Sequence, residues 1–131
     1  MSQENVEIVR ARYERTARGD FSSFEGFAED FEFVTDPQPP DAGTYRGEAA
    51  REWIASWVGS FEGMTMEATE IIDAGDKVVV GILGRGRPSG SDAVVEGRWW
   101  QVMTFRDGLM VRSEGFPERA EALEAAGLSE E

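Results

Sequence analysis

The chain has 131 residues, 26 of them Asp or Glu against 13 Lys or Arg, for a formal charge of −13, and it contains neither cysteine nor histidine. Its length fits one domain, residues 1–131, and a 40% hydrophobic content supplies enough apolar surface for a folded core. The charge repels phosphate backbones and anionic headgroups, which argues against nucleic acid and membrane surfaces, while the missing Cys and His remove disulfides, thiolate nucleophiles, histidine catalysis and the usual transition-metal ligands.

Acid–base chemistry must therefore run on carboxylates, tyrosine or Lys77, the only lysine. No metal or cofactor is expected, since the carboxylates show no ligand spacing. Residues 1–10 are polar, and the longest apolar run, 78–83, is broken by Gly81 and too short to span a bilayer. A cytoplasmic protein is the expectation. Twelve arginines to one lysine suggest a GC-rich bacterial genome.

The first predicted element is an amphipathic helix over 3–18, with Val6, Val9, Tyr13 and Ala17 on one stripe and Glu4, Glu7, Arg10, Arg12 and Glu14 on the other sides. Gly19 ends it. Asp20 then fits the cap of a short second helix carrying Phe21, Phe24 and Phe27. Residues 31–35 read as a strand, ended by Asp36-Pro37 and the Pro-rich stretch 38–43. Helical spacing returns over 48–61, where Trp53, Trp57 and Phe61 recur every fourth residue beside Ile54 and Val58.

After Gly63 the period changes. Residues 64–72, 77–87, 93–105 and 109–116 read as four strands joined by short turns, which favours antiparallel hairpins. Pro117 in the first turn, a stripe of Ala120, Leu123 and Ala126, and Gly127 as stop predict a terminal helix. The plan is α+β, with helices on one face of a curved sheet.

Arg85-Gly86-Arg87-Pro88 matches the core of a minor-groove AT-hook, but the net charge opposes DNA binding, and a strand end running into a turn gives the same residues. The predicted strand over 93–105 is more informative. Its odd positions include Trp99, Gln101, Met103 and Phe105, and its even positions include Trp100 and Val102. The odd side suits the helices, with Gln101 a lone amide among apolar neighbours, satisfied by backbone or used in a pocket. The even side would expose an apolar patch, so a homodimer through Trp100 and Val102 is expected.

Taken in order, Tyr13 to Asp20, Phe27-Ala28-Glu29-Asp30, Asp36-Pro37, Tyr45-Arg46-Gly47, Arg51-Glu52-Trp53, Thr104-Phe105-Arg106-Asp107-Gly108 and the ending 121–128 resemble SnoaL-like proteins of the nuclear transport factor 2-like superfamily, which includes ketosteroid isomerase. The resemblance implies a cone-shaped α+β fold, a bent and mainly antiparallel sheet around helices, a pocket open at one end, and a homodimer through the sheet. It implies a general base at Asp36 and puts the isomerase's oxyanion-hole acid at Gln101, whose amide can donate but cannot transfer a proton. The isomerase's tyrosine falls on Arg12, with Tyr13 one position later, which leaves open which of the two faces the pocket. Trp53, Trp57, Trp99, Met103, Phe105 and Ser113 are the expected pocket wall. Two functions follow as expectations: carbonyl-adjacent proton transfer on a small hydrophobic compound, of isomerase, cyclase or lyase type, or non-catalytic ligand binding by an accessory domain.

Overall fold

The computed structural model describes residues 2–35 and 43–128. The first helix, α1, spans Ser2–Ala17, with Glu4 in its first turn and Arg15 in its last, each favourable to the helix dipole. Its buried side carries Val9 and Tyr13 as expected, but also Asn5, Arg12 and Thr16. Thr16 Oγ1 donates to the Met66 carbonyl at 2.9 Å, tying the helix to the sheet.

No helix follows. The expected second helix at Asp20 is replaced by a turn, because short side chains capture the backbone locally. Asp20 Oδ1 accepts from Ser22 N at 3.0 Å and Ser22 Oγ at 2.7 Å, and Ser23 Oγ accepts from Glu25 N at 3.2 Å. Gly26 then adopts φ 88°, and a Cβ there would meet Ile8 Cγ2 at 2.6 Å, so only glycine lets the chain pass this close to α1. The phenylalanines instead form a cluster, Phe27 meeting Phe24 and Phe31 edge-on at 5.3 and 5.0 Å.

Strand β1 (Phe27–Val34) pairs with a three-residue strand β2 (Thr44–Arg46) that the sequence pattern did not reveal. Helix α2 (Glu48–Gly59) starts after Gly47, whose N–H donates to the Phe31 carbonyl at 2.8 Å. Phe61, expected at the end of this helix, opens the next strand. β3 (Phe61–Ala74), β4 (Lys77–Pro88), β5 (Val95–Arg106) and β6 (Leu109–Phe116) form the meander, and α3 (Arg119–Ala125) closes the chain. The sheet order is β2-β1-β6-β5-β4-β3, with β1 and β6 parallel and every other pair antiparallel. Register shifts in β1–β6, β3–β4 and β5–β6 supply the bends that curve the sheet.

Helices α1 and α2 cover the inner face, packing on Phe31, Val78, Val80 and Met103. The outer face is different. Leu123 and Ala122 of α3 pack on Val79 and Val102, with Trp100, Ile72 and Phe116 around them. Val102 is only 4% exposed, and Arg119 lies over the Trp100 ring at 5.7 Å. The open apolar patch expected at Trp100 and Val102 is therefore absent: the terminal helix, whose face the sequence pattern does not assign, lies on the face opposite α1 and α2 and covers it. Arg119 holds α3 down through Glu70, at 3.0 and 3.1 Å, and those hydrogen bonds lower the Glu70 pKa.

Elsewhere the outer face is charged and paired. Glu32 accepts from Arg46 and Arg112, both at 2.9 Å, and Arg112 also reaches Glu114 at 3.3 Å. Arg85 pairs with Glu96 and Arg87 with Glu62, so both arginines of the AT-hook-like tetrapeptide sit in cross-strand ion pairs. Among the described residues, no helix is long and apolar enough to cross a membrane.

Candidate functional site

Between the helices and the inner face lies a cavity of about 310 Å³. Its walls are mostly apolar. From α2 come Trp53, Ile54 and Trp57, and from the sheet Phe33, Met66, Ile82, Trp99, Met103 and Met110. Trp57 and Trp99 meet edge-on at 5.8 Å, bracing helix against sheet. Trp99 lies flat on β4 because position 84 is glycine: a Cβ there would fall 2.6 Å from the indole. Gly81 serves Trp100 in the same way on the outer face, at 2.7 Å.

Few polar side chains interrupt this wall. Gln101, 6% exposed, donates through Nε2 to Ser113 Oγ at 2.6 Å, and the Cα register sets their strands side by side. Ser113 thus takes one N–H of the amide, leaving the second N–H and the carbonyl oxygen for the cavity. Tyr13 is buried, and burial pushes its pKa up to about 12, so at neutral pH the phenol is a hydrogen-bond donor and not a base. Thr35 Oγ1 accepts from Gly43 N at 2.8 Å at the cavity edge.

Arg12 is the residue that helical spacing set among the polar positions and that the resemblance left open as a pocket candidate. It lines the cavity beside Tyr13, which settles which of the two faces inward: both do. Its Nη1 donates to the Ser23 carbonyl at 2.6 Å, and its guanidinium lies 5.3 Å from the ring centres of both Phe24 and Phe27. Desolvation lowers its pKa from the ordinary value. The available signal was its distance of four from Thr16, but an arginine at helical spacing ordinarily belongs to the solvated side.

Of the expected wall, Trp53, Trp57, Trp99, Met103 and Ser113 border the cavity, together with Gln101 and Tyr13. Phe105 does not; it is buried in the core, past the bulge between Thr104 and Phe105. Asp36 lies outside the described residues, immediately after Thr35. Among the described lining residues none is Asp or Glu, and no group of three or more acidic side chains gathers closely enough to hold a metal ion.

The SnoaL-like domain family matches residues 9–113. A search of curated proteins returns no match. Among solved structures, a nuclear transport factor 2-like protein from Burkholderia thailandensis E264 is 26% identical with a TM-score of 0.73, over 89% of this chain and 95% of that one. TerC, co-crystallised with polyporic acid, is 23% identical with a TM-score of 0.72, over 95% and 98%. A candidate SnoaL-like polyketide cyclase from Jannaschia sp. CCS1 is 19% identical with a TM-score of 0.73, over 88% and 85%.

Proposed function

Because the chain belongs to the SnoaL-like domain family, which includes polyketide cyclases and isomerases, we propose that its cavity binds a compact apolar carbonyl compound and moves a proton at the carbon beside the carbonyl. The observation that carries this reading is the composition of the cavity: aromatic and methionine walls, with Tyr13 and Gln101 among the few polar residues that line it. Such groups polarise a carbonyl oxygen, and a donor aimed at developing oxyanion charge in a dry site is worth a few kcal/mol. Tyr13, a phenol protonated at neutral pH whose pKa burial raises further, suits this role.

The base in this reading is Asp36, on the strength of its sequence context. It would take the proton while Gln101 and Tyr13 hold the oxygen, and the Asp36 carboxyl would then return the proton to the substrate at a different atom. Deuterium exchange into the carbon beside the carbonyl of 2-tetralone, followed by NMR in D2O, tests the proposal. The native protein should accelerate exchange over buffer, and Asp36→Asn should lower the enzymatic rate by roughly a thousandfold. Binding without acceleration favours the second reading, a ligand-binding accessory domain, which draws its support from the lack of a carboxylate among the described lining residues. Acceleration that survives Asp36→Asn contradicts the assignment of the base.

A homodimer against the outer sheet face also stands as a proposal, with the contact made by α3 and the charged rows, since Val102 is already covered. Sedimentation at micromolar concentration should give twice the 14.5 kDa chain mass; a species of the single-chain mass contradicts it.

A further inference from the structure

Arg12 is a cation taken out of water, with Asp20 acting on it through space and no counter-charge paired to it among the described residues. It is 8% exposed, and no carboxylate among the described residues forms an ion pair with it. One carbonyl, that of Ser23, accepts from Nη1, and two phenylalanine rings flank the guanidinium. The remaining N–H groups have no protein partner among the described residues, and the side chain borders the cavity. Other arginines of the chain, including Arg46, Arg85, Arg87, Arg112 and Arg119, hold exposed or partly exposed carboxylates on the outer face. Among the described residues, Arg12 at the cavity thus has no ion-paired carboxylate, in a chain with 26 acidic residues.

Burying an uncompensated charge is costly, and the cost falls when a ligand supplies the opposite charge at the same place. The planar fork of arginine matches two oxygens of a carboxylate, and such a pair is strongest in a low-dielectric site. From this we infer that the natural ligand of the cavity carries a carboxylate, bound by Arg12, on an otherwise apolar body. The inference rests on the cavity being a ligand site, as argued above, and adds the charge class of the ligand. Aromatic walls hold the body, and Arg12 sets which end enters next to α1.

The test uses naphthalene-2-carboxylate and its neutral isostere naphthalene-2-carboxamide, titrated into the full chain at pH 7 with tryptophan fluorescence as readout, since Trp53, Trp57 and Trp99 line the cavity. The native protein should bind the carboxylate tighter than the amide by about tenfold or more. The preference would run against the repulsion of a chain with net charge −13, so surface charge does not produce it. Arg12→Met should bring the two ligands to equal affinity, and Arg12→Lys should keep part of the preference. Should Arg12→Met fail to fold, the comparison of the two ligands on the native protein and on Arg12→Lys still decides. Equal binding of both ligands by the native protein, or an unchanged preference in Arg12→Met, overturns the role of Arg12 and leaves the cavity as a site for neutral compounds. Failure of the native protein to bind either ligand overturns the cavity reading and this inference with it.

Discussion

Neighbouring residues of β5 enter two unlike environments. Gln101 and Met103 point to the cavity side, where polar groups are few, buried and only partly satisfied. Trp100 and Val102, on the other face, meet α3, and beyond its footprint the sheet carries charges in matched pairs. The outer face thus spends many of its polar groups on partners within the chain, whereas the inner face holds donors with capacity to spare around a cavity. The contrast locates function by exclusion: unmet hydrogen-bonding capacity next to a cavity is what a ligand can use, and ion pairs already made in solvent are not.

The largest break in this comparison should come from the inner core. Phe31, fully buried, anchors the aromatic cluster under α1, and Phe31→Ala should cost about 3 to 5 kcal/mol in urea unfolding. Tyr13 gives a smaller and pH-dependent effect. Its folded pKa is raised from 10.0 to about 12, so its neutral form contributes fully below pH 10; above that the unfolded phenol ionises first, and stability falls as pH rises towards 12. The loss is on the order of 2 kcal/mol. Tyr13→Phe should lack this alkaline fall, and stability measured against pH in the two proteins checks it. The smallest effect belongs to the outer face, next in sequence to Phe31. Glu32→Gln removes the centre of the Arg46–Glu32–Arg112 row, yet should cost under about 1 kcal/mol and less still in high salt, because these groups are partly exposed.

Parity on β5 is legible in the sequence: the alternation of Trp99, Gln101 and Met103 with Trp100 and Val102 assigns the two faces, and the period of two over β3 to β6 gives the meander. What covers the outer face is not legible there. The stripe of Leu123 and Ala126 says that α3 is amphipathic, and both faces of the sheet offer an apolar landing for it. The turn at 20–26 escapes because phenylalanines three apart suit a helix as well as a ring cluster, and the hydrogen bonds of Asp20 and Ser23 that decide the matter are local. Strand β2 is too short to show a period. At the site, Trp53, Trp57 and Trp99 follow from spacing, but the inward turn of Arg12 depends on Ser23, Phe24 and Phe27, three residues brought to it only by the fold.

The most direct measurement is a fluorescence titration with 2-acetylnaphthalene on the native chain, on Ile54→Trp, which fills the cavity from α2, and on Trp100→Phe, which alters only the outer face. Saturable binding at one site per chain, lost in Ile54→Trp and retained in Trp100→Phe, is the expected result. Binding that persists undiminished in Ile54→Trp, or disappears in Trp100→Phe, would contradict the assignment of function to the inner face.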